Sequence, residues 1–221
     1  FVFLMPALED YYINLGYKKI YDTKNMNFTI IDPEGLERDI SDCYASLMLC
    51  IEHMSDLSEE DIENVSEVIN QKLGENYSVF CKRDKAYIHN MIEEHKCESG
   101  NVCIVTEHMM TENEDEVVDN NMVGLFSYGI DDDTMYVERF EPFVDNSMAL
   151  MISVLKLATE LSCQRCVITV ADRDVDGFEL IFDGIELDVS DGKGIMACVL
   201  SDNQEHYLDI MVDNAFIDEI V

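Results

Sequence analysis

The sequence predicts an α/β fold, a mixed central sheet flanked by helices, with a β-α-β-β extension at its N-terminal end. Three observations carry this. Short runs rich in β-branched and aromatic residues are interleaved with longer segments whose apolar residues recur at three- and four-residue steps. Of the 221 residues, 48% are apolar and 28% charged, enough to bury a core and too apolar for a disordered chain. Finally, the fully apolar run Cys166–Val170 follows a long helical pattern, as a central strand follows its crossover helix.

Taken in order, Phe1–Met5 is a short apolar run, and Pro6 opens ALEDYYINL, which Gly16 stops. Residues 17–21 and 27–31 read as two strands of a hairpin around a polar turn, so residues 1–31 form the β-α-β-β unit. From Asp39 the period changes. Ile40, Tyr44, Leu47, Met48, Ile51 and Met54 predict one amphipathic helix. Ser58-Glu-Glu-Asp61 is a capping box for a second, with Ile62, Val65, Val68, Ile69 and Leu73 on its inner face, and Asp84–His95 predicts a third. Strands follow at Val102–Thr106, Met122–Ile130 and Thr134–Phe140, the last two a hairpin around three aspartates. Between the first two, acidic Glu112–Asn121 reads as a loop. A helix over Ser147–Leu161, the strand Cys166–Val170, and strands at Ile185–Val189 and Ile195–Leu200 complete residues 38–200. Residues 172–183 carry no clear period, and the acidic segment 201–221 predicts a docking helix.

The charge excludes whole classes of function. With 47 acidic against 14 basic residues the net charge is −33, so neither nucleic acid nor an anionic membrane surface is an expected partner. No apolar run approaches the roughly 18 residues of a bilayer span, and FVFLMP is too short for a signal peptide, which predicts a cytoplasmic or nuclear protein. The eight scattered cysteines fit reduced, buried thiols better than a secreted disulfide framework. A start at Phe1, inside what reads as a folded unit, is expected of part of a longer polypeptide or assembly.

The order of elements, helices, strand, hairpin, long helix, then strand-helix-strand-strand, resembles the GCN5-related N-acetyltransferase (GNAT) fold over Arg38–Leu200. Ala7–Lys18 (ALEDYYINLGYK) is similar to the "A…YEKLGFK" signature after the fifth strand of many such enzymes, matching at Ala7, Tyr12, Leu15, Gly16 and Tyr17. A weak internal repeat sets Gly16 opposite Gly184 and Tyr12 opposite Leu180. It resembles a tandem arrangement in which residues 1–31 close a preceding unit, or else a swapped terminal unit packed on the complete one.

The resemblance implies acetyl-CoA held by a Gly-rich turn at the start of the long helix. The corresponding Phe143–Ala149 has no glycine, arginine or glutamine, and Asp145 stands where a phosphate would go. If acetyl-CoA binds, its contacts fall on Val144, Asn146, Ser147 and Met148; the preferred role of Asn146 and Ser147 is helix capping. The family's tyrosine acid is matched by Tyr12, but Leu180 holds the position in the complete unit and transfers no proton. Glu138 is the candidate general base, weighed against an ordinary solvated strand glutamate.

No cofactor is therefore favoured. The expected function is a catalytically degenerate module whose acidic surface meets a basic protein partner. The alternative is acetyl-CoA-dependent acetylation of a cationic amine, a lysine or polyamine. Met135–Glu138 and the helix through Leu161 are similar to the central strand and helix of the ornithine decarboxylase antizymes, which implies that the fold serves protein binding without catalysis.

Other patterns are weaker. Asp172, Asp174, Asp176 and Asp183 have the spacing of a calcium loop, but no helix leads in, and a solvated acidic turn is preferred. Cys163-x-x-Cys166 is half a zinc site, with His95, Cys97 or Cys103 as possible completions; reduced core cysteines are the default. No metal is expected. The histidines form no HExxH pattern, and neither a GxSxG elbow nor a P-loop occurs.

Overall fold

In the computed structural model, residues 2–4, 8–77, 79–110, 117–143, 147–172, 175, 182–198 and 215–216 are described. The chain opens with β1 (Val2–Leu4), α1 (Glu9–Ile13), β2 (Lys18–Tyr21) and β3 (Thr23–Ile30). Next come α2 (Pro33–Ser46), β4 (Leu49–His53), α3 (Glu59–Asn76), β5 (Val79–Phe80) and α4 (Lys85–Cys97). Three long strands follow, β6 (Asn101–Met110), β7 (Val117–Asp131) and β8 (Thr134–Pro142), and then α5 (Met148–Glu160). The chain ends with β9 (Arg165–Ala171), β10 (Ile185–Asp191), β11 (Ile195–Cys198) and β12 (Ala215–Phe216).

Local chemistry explains the helix starts. Pro33 occupies the first turn of α2, and the Asp32 side chain accepts from the Gly35 N–H. Ser58 accepts from the Asp61 N–H and Asp84 from the Tyr87 N–H, which caps α3 and α4. The helix expected to run to Met54 stops at Ser46. Met48 takes a left-handed conformation (φ +50°), after which Leu49–His53 is strand, so the periodic apolar residues beyond it pair with β6 instead of lining a helix.

A seven-stranded sheet has the order β10-β3-β9-β8-β7-β6-β4, and β8–β9 is its one parallel pair among the described residues. Helices cover both faces. Leu36 and Ile40 of α2 and Leu150, Val154 and Ala158 of α5 pack on Met26, Phe28, Val137, Cys166 and Ile168. On the opposite face Ile69 and Leu73 of α3 and Ile88 and Ile92 of α4 pack on Val102, Ile104, Met122 and Leu125. β6 thus sends alternate residues into both layers, Cys103 and Val105 one way and Val102 and Ile104 the other.

The N-terminal strands do not form the expected hairpin. β2 pairs with β11, whereas β3 lies between β9 and β10 in the large sheet. β11 in turn sits between β1 and β2 in a separate three-stranded sheet of order β1-β11-β2. Each sheet is therefore completed by a strand from the opposite end of the chain. Alternation identifies strands but says nothing about partners, which is why the local reading failed here.

Two other expectations change. Residues 117–121 of the acidic stretch extend β7 opposite β6, while 111–116 lie outside the described residues. In the C-terminal segment Ala215–Phe216 is strand, pairing parallel with β5 rather than helical; 201–214 and 217–221 lie outside the described residues. No described helix is long and apolar enough to cross a membrane.

Candidate functional site

Two features of β8 create the candidate site. Its pairing with β9 ends at Val137↔Ile168, although β8 continues to Pro142 and β9 to Ala171, so the two parallel strands part company in the middle of the sheet. At the same point β8 carries a bulge: Tyr128 pairs with Val137 but Ser127 with Arg139, leaving Glu138 as the extra residue. Val137 and Phe140 both face the α2/α5 core, and between them Glu138 and Arg139 both turn toward α4.

The last turn of α4 meets this bulge because of two glycines. A Cβ on Gly100 would stand 1.7 Å from the Tyr128 carbonyl oxygen, and one on Gly129 would stand 3.2 Å from Glu98 Cβ. Only glycine at 100 lets the helix end lie on β7. The Ile130 N–H then donates to the Glu98 carbonyl (3.0 Å) and the Gly100 N–H to that of His95 (2.8 Å). At the other end of α4, Arg83 and Glu141 form a fully buried ion pair joining the segment before the helix to the end of β8. Arg83 Nη1 also donates to the Cys81 carbonyl (2.9 Å), and its guanidinium lies 5.2 Å from the centre of the Tyr87 ring.

The result is a cavity of about 420 Å³ bordered by Glu98, Ser99, Gly129, Asp131, Tyr136 and Glu138. His95 lies below it, fully buried, with Nδ1 3.7 Å from Glu98 Oε2 and neither ring nitrogen hydrogen-bonded. One nitrogen of His95 and one oxygen from each of Glu98 and Glu138 fall within 4.8 Å of one another. Burial, aided by the Arg139 charge, lowers the His95 pKa against the pull of Glu94 and Glu98, which favours neutral imidazole. Burial also raises the Glu138 pKa, and the charge and hydrogen bond of Glu98 and the charge of Glu94 push it further, against Arg139. Glu138 thus holds a proton more readily than an isolated carboxylate would.

Of the residues expected from sequence, Glu138 is in this cavity. Tyr12 is on α1, its ring edge-on to Tyr11 and Tyr17 at 5.2 and 5.6 Å, beside the three-stranded sheet and not among the residues bordering the cavity. Ser147 precedes α5 in a helical conformation, and its side chain makes no capping hydrogen bond, contrary to the capping role expected of it; Met148 is the first helical residue. Val144, Asn146, Asp174, Asp176 and Leu180 lie outside the described residues. Asp172 faces Lys24 Nζ at 3.5 Å, and Asp183 is exposed in the turn before β10.

The eight cysteines are free thiols, as expected, but burial is uneven: Cys103, Cys163 and Cys166 are buried and Cys97 is exposed. Burial pushes the Cys103 thiol up to about 12. Cys163 and Cys166 pack in the α2/α5 core together with Cys103, whereas His95 lies on α4 across the sheet; among the described residues the potential metal ligands that come together as a group of three are His95, Glu98 and Glu138. Motif reading offered His95 only as a partner for the cysteine pair and missed Glu98. The signal for His95 and Glu98 was the three-residue spacing at a helix end, with Glu138 forty residues on.

No family model and no curated protein matches this chain. Solved structures do. A conserved protein of unknown function from Enterococcus faecalis V583, described as a probable N-acyltransferase, superposes with a TM-score of 0.54 at 12% identity, over 88% of this chain and 44% of that one. A GCN5-related N-acetyltransferase from Anabaena variabilis ATCC 29413 gives 0.51 at 9% identity, over 88% and 44%. The chain thus spans less than half the length of these structures, and it has the GNAT-like fold: a mixed α/β sheet between helices.

Proposed function

We propose that this chain is a catalytically degenerate form of the GNAT-like fold that works as an acidic interaction module for a basic protein, or for a basic region of a larger assembly. One observation carries the reading. The single cation on each element bordering the parted strands already faces a carboxylate: Arg139 of β8 meets Glu94 (3.7 Å), Arg165 of β9 meets Asp133 (3.5 Å), and Lys156 of α5 pairs with Glu160 while lying 5.1 Å from the Tyr44 ring centre. A polyanionic cofactor such as acetyl-CoA would have to compete with a carboxylate for each of these cations. A basic partner is drawn by the net charge of −33, with an association rate that falls as salt rises.

A second reading, acetyl-CoA-dependent transfer to a cationic amine, is favoured by the gap between β8 and β9 and by the bulged Glu138 with its raised pKa. Calorimetric titration of acetyl-CoA separates the two. No heat and no thermal shift, together with salt-sensitive binding of a lysine-rich peptide, supports the interaction module. Saturable micromolar acetyl-CoA binding overturns it and makes Glu138→Gln the first variant to assay for transfer.

A further inference from the structure

We infer that His95, Glu98 and Glu138 form a binding site for one divalent transition-metal ion, of the zinc or cobalt class, at the floor of the cavity beside the β8 bulge. The inference does not depend on the docking role, since it concerns the interior edge of the sheet and stands whether or not acetyl-CoA binds.

Acidic side chains alone would not carry it on so anionic a surface. What distinguishes this place is His95. A fully buried imidazole with both nitrogens lacking a hydrogen-bond partner leaves a desolvated donor and a desolvated acceptor uncompensated, an arrangement that buried polar groups rarely adopt. Its Nδ1 points toward the Glu98 carboxylate but remains too far for a hydrogen bond, at 3.7 Å. Two ligands of a tetrahedral zinc ion are separated by about 3.3 Å, as follows from metal–ligand distances of roughly 2.0–2.1 Å. The separation found is thus closer to that of two atoms sharing a metal than to that of two atoms sharing a proton.

The donor set selects the ion. One imidazole with two carboxylates suits zinc, cobalt, iron or manganese, whereas magnesium and calcium favour oxygen-only shells. Metal binding requires a neutral imidazole and ionised carboxylates; burial supplies the first, and a dication displaces the proton that burial and the Glu98 charge favour on Glu138. The ligands need only small movements. Glu98 and Glu138 are exposed side chains, and the three donor atoms start within 4.8 Å of one another. Two carboxylates neutralise the ion, and Glu94 and Asp131 nearby outweigh the single Arg139. With three protein ligands, the fourth position opens into the cavity of about 420 Å³, where water or an anionic group of a ligand would complete the shell.

The test uses the whole chain, stripped with chelator and titrated with zinc by calorimetry in excess magnesium, which occupies the general acidic surface. The expected result is one saturable equivalent with an affinity reduced about tenfold or more by Glu138→Gln or Glu98→Gln, exposed positions whose change leaves the fold intact. Cobalt substitution should give a visible d–d spectrum that the same variants alter, and nitrogen ligation should appear as a paramagnetically shifted imidazole resonance, so the outcome does not rest on a His95 variant folding. Cys97→Ser, removing the exposed thiol at the cavity edge, should change nothing. Absence of saturable binding above the magnesium background would overturn the inference. So would binding unaffected by Glu138→Gln, or binding abolished by Cys97→Ser.

Discussion

Removing one half of the Arg83–Glu141 pair should be among the most damaging single changes in this protein. Both side chains are fully buried, and the pair joins the segment leading into α4 to the last turn of β8. In Glu141→Leu the guanidinium keeps its bond to the Cys81 carbonyl and its place over Tyr87 but loses the Glu141 carboxylate in a fully buried site. Stranding one charge of a buried pair costs about 3–5 kcal/mol. With a urea dependence of roughly 2 kcal/mol per molar, the unfolding midpoint should fall by about 1.5–2.5 M at an unchanged slope. The double variant Arg83→Met/Glu141→Leu removes both charges, and it should recover most of the loss, to within about 1 kcal/mol of the parent. Urea unfolding followed by circular dichroism measures all four corners of this cycle. The reasoning fails if the single variant loses less than about 1 kcal/mol, or if the two single losses simply add.

Phe28→Ala, in the exchanged strand β3 and fully buried, should cost about 3–5 kcal/mol by the same assay; a loss near zero would mean that β3 is not integral to the large sheet. Gly100→Ala drives a Cβ to within 1.7 Å of the Tyr128 carbonyl oxygen, so α4 must lift from β7, with a loss of about 1–3 kcal/mol and weakened metal binding; a variant of parental stability would refute the close approach. The pKa of Glu138 is raised on folding, so the native state holds a proton that the unfolded chain releases earlier. That contribution is complete below the ordinary glutamate range and is lost as pH rises through the folded value. In chelator, Glu138→Gln should therefore gain Tm relative to the parent as pH rises from about 4 to about 8, and a constant difference across that range would count against the raised Glu138 pKa.

The sequence disclosed what short-range physics determines. The capping role of Ser58, the helix beginning at Asp84, the apolar faces of α3 and α4, and the long helix α5 with the buried strand after it all follow from period and cap chemistry. What escaped it is non-local or rare. The end of α2 depends on Met48 entering a left-handed conformation that its residue type does not announce. The strands at 18–30 were recognisable, but their partners lie some 136–179 residues away, and nothing in alternation selects them. At the site, Glu138 was visible as a strand carboxylate. Its bulge, and the apposition of His95 and Glu98, depend on Gly100 and Gly129 letting a helix end rest on β7, a relation that only the folded chain contains.

The strand exchange between the two sheets has a consequence for biosynthesis. Strand β3 is made early, yet its neighbours in the large sheet are residues 165–171 and 185–191, and β11 must enter the small sheet between two strands synthesised far ahead of it. Neither sheet can close while the ribosome is still midway through the chain, and contacts of such long sequence separation form slowly. For most of translation the apolar edge of β3 waits uncovered, which makes the nascent chain a natural client for chaperones. Once closed, the two sheets are stitched to each other by their own backbones, so they can part only by unfolding.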